Sequence, residues 1–201
     1  SDGSLVQPLA ARPLPETVVY RQPVDSPPPY ELPHSDYRYD RRGLTPLLGG
    51  LLTSNGLAFS PDGGTLYHAD TPRFTVRRYP YALATGDIGA AQPFLTLTPT
   101  GTDRGRPDGA AVDVEGCYWT AFYRGGKVVR VSPEGRMLGE FPLAAMCPTM
   151  CALGGPDLKT LFVTSARQQR TDEELARLPQ SGGIFAMRVD VPGLPEPHFA
   201  G

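Results

Sequence analysis

Short runs of apolar and polar residues in alternation, cut by Gly-, Pro- and Asp-rich turns, recur along most of the chain. "SNGLAFSPDGGTLYHAD" (54–70) reads as strand, turn, strand: apolar and aromatic side chains flank Pro61-Asp62-Gly63-Gly64, residues that favour tight reversal of the backbone. "DGAAVDVEGCYWTAF" (108–122) repeats the phrase around Glu115-Gly116, and "PTMCALGGPDLKTLFVTSAR" (148–167) repeats it around Pro156-Asp157. Further strands are expected in "VRRYPYA", "AQPFLTL", "GKVVRVSPEGRMLGEFPL" and "SGGIFAMRVDV". Helical patterning is confined to "TDEELARLP" (171–179), whose acidic first turn and closing proline predict one short surface turn of helix at most.

The spacing of the repeated phrase identifies the architecture. Asn55 and Asp108 are 53 residues apart, and Asp108 and Thr149 are 41 apart. Four strands per unit, recurring at about 40 to 50 residues, is the pattern of a β-propeller. A sandwich would not require the same strand–turn–strand phrase three times. The fold is therefore expected to be all-β, a β-propeller over residues 37–201 with about four blades recognisable. Its first strands are expected in "DYRYDRRGLTPLLGG" (36–50), with a turn near Arg42-Gly43. Nine prolines fall in the first 50 residues, including the run "SPPPYELP". Proline removes ladder donors, so residues 1–36 are read as an irregular N-terminal arm.

In a propeller the first strand of each blade lines a central channel, so residues at equivalent repeat positions converge there. Asn55, Asp108 and Thr149 open the three repeated phrases. A side-chain carbonyl, a carboxylate and a hydroxyl at one mouth of the channel would suit a hard divalent cation such as Ca²⁺ or Mg²⁺. Asn-Gly or Asp-Gly alone is a common turn dipeptide. Two polar residues at equivalent repeat positions point instead to a site. Asp62, Asp113, Glu115 and Asp157 lie in or beside the outer turns and read as turn chemistry, and Asp70 as a residue that orders a strand end. Arg124, in "FYRGG", is a candidate to orient a polar substrate at the channel mouth, or a solvated hairpin arginine. Thr149 and Ser165 are candidates to line the channel, with strand packing as the alternative for both.

Composition narrows the function classes. With 201 residues and a formal charge of −2, the chain suits one globular domain and has no basic cluster for nucleic acid. No apolar run is long enough to span a membrane. Cys117, Cys147 and Cys151 are an odd number without metal-type pairing, so reduced, partly buried thiols and a cytoplasmic setting are expected. The 23 glycines and 23 prolines fit a chain of many turns between short strands. No GxSxG elbow occurs, and His34, His68 and His198 are scattered through unrelated phrases. Tyr118 and Trp119 are expected to pack between blades.

"SNGLAFSPDGGTLYHADT", "RPDGAAVDVEGCYWTAFYRGGKVVRVSPEGRML", "PTMCALGGPDLKTLFVTSAR" and the ending "QSGGIFAMRVDVPGLPEPHFAG" occur in an order that resembles the SMP-30/gluconolactonase (regucalcin-like) family. The resemblance runs from Tyr37 to Gly201. It implies a six-bladed propeller that hydrolyses sugar lactones or related esters with one divalent metal ion, Ca²⁺ first, with Zn²⁺, Mn²⁺ and Mg²⁺ as alternatives. It places the family's metal-binding asparagine on Asn55, and its metal-binding aspartate, which is also the favoured catalytic base, on Asp108. The family's third ligand, a glutamate in a GEGP-like phrase, has no counterpart: Glu16 sits in "LPETVV" and Glu31 in "PYELPH". The substrate-binding Arg and Asn of its second blade are not found either.

Six blades at about 45 residues need about 270 residues, and residues 37–201 supply 165. The family's first two blades are therefore expected to be missing, as in a truncated piece, or to be replaced by the arm, a second copy or a partner chain. A non-catalytic metal- or ligand-binding propeller is the rival from another class, and phosphotriester hydrolysis is a second enzymatic alternative. A small lactone or ester is the expected partner, with no nucleic acid and no membrane.

Overall fold

The computed structural model describes residues 18–21, 34–41, 43–98 and 105–195. Among the described residues, fifteen strands, one 3₁₀ turn and one short α-helix follow in order. β1 (Val18–Arg21), β2 (His34–Asp40) and β3 (Gly43–Leu51) form the first sheet. β4 (Ser54–Phe59), β5 (Thr65–Asp70), β6 (Thr75–Ala82), β7 (Asp87–Ile88) and β8 (Gln92–Thr96) form the second, in which both β7 and β8 pair with β6. The third holds β9 (Arg106–Val112), β10 (Tyr118–Tyr123), β11 (Lys127–Val131) and β12 (Met137–Pro142). β13 (Pro148–Gly154), β14 (Thr160–Ser165) and β15 (Ile184–Arg188) make the fourth, with α1 (Asp172–Arg177) between the last two strands. Each sheet is an antiparallel meander, and the four are successive blades of the propeller.

The segment read as an irregular arm contains β1, paired antiparallel to β2 from Val18 opposite Tyr39 to Arg21 opposite Asp36. "VVYR" is a β-branched and aromatic run bounded by Pro15 and Pro23, long enough for one short strand. The remainder of the arm through residue 33 lies outside the described residues, as does the ending from residue 196. The expected helix is confirmed in its short form: Thr171 caps α1 by accepting the Glu174 N–H, and no residue of the helix is buried.

The repeated turns are built by their acidic residues. Asp62 accepts from Ser60 Oγ at 2.5 Å and from Gly64 N at 3.0 Å, which closes the β4–β5 hairpin and lowers its carboxyl pKa. Asp113 is fully buried between β9 and β10. It accepts from the backbone of Glu115 and Cys117, from Trp119 Nε1 at 2.9 Å and from Arg130 at 2.8 Å. Asp157 is paired with Arg188 across β14 and β15. All three act in turns, as expected.

Period-two alternation decides which blade each side chain meets. Along β10, Tyr118 and Phe122 pack toward the second sheet with Tyr67 and Phe94, whereas Trp119 packs toward the fourth with Cys151, Leu161 and Val163. Along β5, Tyr67 and Ala69 face the third sheet, while Leu66 packs with Tyr79 and Tyr81 on the other side. Removing a buried aromatic such as Trp119 costs about 3–5 kcal/mol, and a surface ion pair such as Lys127–Glu140 contributes about 0–1 kcal/mol. Aromatic packing therefore dominates the joints between blades.

The three cysteines are buried and unpaired. Burial pushes the Cys151 thiol up to about 12, with a smaller push in the same direction from Asp108. Its sulfur sits 3.4 Å from Trp119 O, inside the joint between the third and fourth sheets. A thiol in that state is a packing group and not a nucleophile. Native protein at pH 8 is expected to leave Cys151 unmodified by an aromatic disulfide reagent, and all three thiols should titrate after unfolding in guanidinium. Rapid labelling of Cys151 in the folded protein would contradict this packing.

Candidate active site

The first strands of the second, third and fourth sheets, β4, β9 and β13, lie side by side, and glycine sets how close they come. A Cβ at Gly56 would fall 2.8 Å from Asp108 O and 2.3 Å from the Tyr118 hydroxyl. A Cβ at Gly109 would fall 2.6 Å from Thr149 O. Gly56 also has φ of +55°, a left-handed conformation that glycine adopts without penalty. The residue after Asn55 and the residue after Asp108 are thus the points where one inner strand touches the next. Asn55, Asp108 and Thr149 are brought onto consecutive strands in ring order, at the end where those strands begin.

Asn55 is half-buried between two buried neighbours, and its orientation is fixed. Its Nδ2 lies 2.8 Å from Thr71 Oγ1, and Thr71 Oγ1 lies 2.7 Å from Pro107 O. A hydroxyl has one proton, and a carbonyl can only accept. Thr71 therefore donates to Pro107 and accepts from Asn55, which makes the nitrogen of the amide face Thr71 and leaves Oδ1 as its acceptor. Gly56 O, one residue on, accepts from the Tyr118 hydroxyl at 2.6 Å. Asp108 is half-buried on β9. Burial raises the Tyr118 pKa well above its ordinary value, and the Asp108 charge adds to that shift, as it does for Cys151.

The other candidates sit at the same end. Tyr123 pairs with Arg106 and Phe122 with Pro107, so the β10–β11 hairpin that carries Arg124 lies beside the start of β9. Arg124 is exposed there with φ of +61°. Thr149 Oγ1 is 2.8 Å from Thr164 Oγ1 across the β13–β14 pair. Ser165 has its hydroxyl engaged in the loop before β15, donating to Gly183 O at 2.9 Å and accepting from Gly182 N at 3.0 Å. Asp70 orders the start of β4, accepting from the backbone of Leu52 and Thr53 and pairing with Arg73.

Ser54, Asp36 and His68 meet at the joint between the first and second sheets. Ser54 Oγ donates to Asp36 Oδ1 at 2.6 Å, and His68 Nε2 lies 3.0 Å from both Ser54 Oγ and Asp36 Oδ2. This trio is not a nucleophilic triad. The serine proton is directed to the carboxylate, one imidazole nitrogen faces both partners, and all three side chains are buried. It ties β2 to β4 and β5 at Ser54, the residue before Asn55, and makes His68 a packed histidine.

The donor chemistry at Asn55 and Asp108, one neutral carbonyl oxygen and one carboxylate, fits a hard divalent cation. Among the described residues no group of three or more His, Cys, Asp or Glu side chains comes together to hold one. Nor is any helix among them long and apolar enough to cross a membrane.

Residues 26–167 match the SMP-30/gluconolactonase/LRE-like region. The chain belongs to this family. It is 51% identical over 155 residues to a 6-deoxy-6-sulfogluconolactonase of Pseudomonas putida, covering 77% of this chain and 52% of that protein. It is 39% identical over 150 residues to regucalcin of Xenopus laevis, covering 74% and 49%. Among solved structures, a calcium-binding regucalcin from Agrobacterium tumefaciens superposes with a TM-score of 0.77 at 32% identity, over 83% of this chain and 56% of that one. A gluconolactonase from Xanthomonas campestris gives 0.60 at 28% identity, over 74% and 50%. The chain thus spans about half the length of the curated relatives it matches.

Sequence reasoning missed Thr71 and Tyr118 as neighbours of the site. Thr71 stands in "ADTPR", where the only local signal is a proline that opens the short 3₁₀ turn Thr71–Arg73. Its two partners lie 16 and 36 residues away. Gly56→Ala is expected to destabilise the protein by about 2 kcal/mol or more, since it combines a left-handed φ with a clash against β9. Gly49→Ala, whose methyl would come no nearer than 3.7 Å to Ser35 Oγ, should change stability by less than about 0.5 kcal/mol. Urea unfolding of the two variants checks both, and equal midpoints would contradict the close approach of β4 to β9.

Proposed function

We propose that this chain carries half of a divalent-metal-dependent lactonase site and acts on sugar lactones or closely related esters. The observation that carries the reading is the pairing of Asn55, with its amide oxygen fixed as an acceptor, with Asp108 on the next inner strand. Relatives named as lactonases support the reaction class, including one whose named substrate bears a sulfonate.

Asn55 Oδ1 and the Asp108 carboxylate would hold the cation; both are hard oxygen donors, which suit Ca²⁺, Mg²⁺ or Mn²⁺, and Ca²⁺ is put first because a solved relative is named a calcium-binding protein. A bound divalent cation supplies Lewis acidity toward an ester carbonyl and toward water. Asn55, being neutral, holds it without cancelling its charge. Asp108 takes a proton from the attacking water as the new C–O bond forms at the lactone carbonyl. On collapse of the tetrahedral intermediate the ring C–O bond breaks, and the protonated Asp108 returns its proton to the departing ring oxygen. The product is the open-chain hydroxy acid. Arg124, exposed beside the start of β9, is suited to meet oxygens of a polar or anionic substrate. Thr149, on the neighbouring strand, can offer its hydroxyl to the same ligand. Ser165 is less suited, because its hydroxyl is already engaged in both directions. Further oxygen ligands would come from water, from a second copy of the chain or from a partner chain.

The test is lactone hydrolysis followed in a pH-stat, with glucono-1,5-lactone and 6-deoxy-6-sulfogluconolactone, with and without chelator, across Ca²⁺, Mg²⁺, Mn²⁺ and Zn²⁺. Chelator-sensitive turnover is expected. Asp108→Ala should reduce it at least about 100-fold, the scale of a general base, and Asn55→Ala should mainly raise the metal concentration needed. An Asp108→Ala variant with full metal-dependent activity would overturn the assignment. Folded wild-type protein that binds Ca²⁺ without turnover would establish a binding propeller instead.

A further inference from the structure

The hydrogen-bond chain from Asn55 through Thr71 to Pro107 spans two blades and ends one residue before Asp108. Thr71 is 8% exposed and sits in the 3₁₀ turn that leaves β5. Its own backbone N–H is bound to Thr53 O at 3.2 Å, and its carbonyl accepts from Phe74 N at 3.2 Å. The turn is thus held by its backbone, and the hydroxyl is not needed to close it. That hydroxyl reaches away from the turn to two groups on the inner strands.

We infer that Thr71 is a positioning residue: by donating to Pro107 O it can only accept from Asn55 Nδ2, and so it fixes which atom of the Asn55 amide is offered as a ligand. A primary amide is nearly symmetric in shape, and rotation by half a turn about its last side-chain bond exchanges oxygen for nitrogen. With nitrogen turned toward the ligand, Asn55 would present two N–H donors to a cation and repel it. The single Thr71 proton removes that alternative. The same bond pair couples β4 to β9, so the spacing between Asn55 and Asp108 is set together with the orientation of Asn55. Partners that orient a ligand in this way commonly affect metal affinity 10- to 100-fold when removed.

This inference rests on the metal-site reading above, and its test separates the two. The probe is Ca²⁺ alone, titrated calorimetrically into wild type, Thr71→Val and Thr71→Ser, with thermal unfolding of each measured without metal. Thr71→Val keeps the shape and removes the proton, and its dissociation constant for Ca²⁺ should rise about tenfold or more. Thr71→Ser keeps the proton and should stay within about threefold of wild type. In lactone hydrolysis, Thr71→Val should recover its kcat at saturating Ca²⁺, because Asp108 is untouched. A Thr71→Val protein that binds Ca²⁺ as tightly as wild type, whatever its melting temperature, would overturn the positioning role and leave the metal reading intact. Wild type that binds no Ca²⁺ would overturn both.

A measurement on the wild-type chain does not depend on any variant folding. In metal-free protein the Asn55 side-chain amide should show one proton protected from solvent exchange by its bond to Thr71. Exchange of both Asn55 amide protons at the rate of an exposed asparagine would overturn the inference.

Discussion

The contact on which the site depends is the near touch of one inner strand against the next, made possible by hydrogen where a side chain would otherwise stand. Gly56 meets the backbone of β9 at Asp108, and Gly109 meets the backbone of β13 at Thr149. Had Gly56 been alanine, β4 and β9 would have to separate and Asn55 and Asp108 would move apart with them; an alanine at Gly109 would instead part β9 from β13, and Asp108 from Thr149. The Asn-Gly and Asp-Gly pairs thus combine a polar residue with the one neighbour that lets the next blade come within reach. What reads locally as turn chemistry is a packing requirement between blades.

Around that contact the structure divides labour by sheet face. Alternate residues of β5 and β10 serve opposite joints, so one strand such as Tyr118–Tyr123 contributes aromatics to two blade interfaces. These joints are apolar over most of their extent, and each also contains polar bonds at a defined place. Asp36 with Ser54 and His68 marks the joint of the first and second sheets, and Thr71 with Pro107 and Tyr118 with Gly56 mark the next. Buried polar groups cost stability unless they are satisfied. Apolar packing tolerates sliding between similar positions, whereas these bonds have one register. They fix at the channel mouth what the aromatics supply in free energy farther out.

How far the sequence foretold this depends on the range of the interaction. Strand–turn–strand units are local, and period-two alternation with Gly, Pro and Asp turns made β4–β5, β9–β10 and β13–β14 legible. The repeat then brought Asn55, Asp108 and Thr149 onto neighbouring strands without any structure. The strand β1 was hidden by its proline-rich surroundings, although Val18, Val19 and Tyr20 carry the propensity for it. Thr71, Tyr118 and the Asp36–Ser54–His68 trio were not legible as partners, because their bonds join residues from 14 to 62 positions apart and leave no periodic trace. Ser165 shows the converse: its place in the repeat suggested the channel, and a loop beside it claims the hydroxyl.

The fourth sheet extends the same logic. In β13 Thr149, the second residue, is followed by Met150, so the glycine of the Asn-Gly and Asp-Gly pairs is absent there. Met150 is 45% exposed, on the face of the sheet that also exposes Phe162 and Ile184. The opposite face, with Cys151, Leu161 and Val163, is buried against the third sheet. A blade-facing surface of this kind has apolar side chains where the corresponding face of β10 has Trp119. The first sheet also exposes apolar side chains on its outer side, where Tyr39 and Leu44 pair across β2 and β3 and are about half exposed. Both ends of the four-sheet arc therefore have the composition of joints. The packing that joins the blades already present, with alternate side chains of one strand serving opposite joints, is of the kind that would cover these two faces.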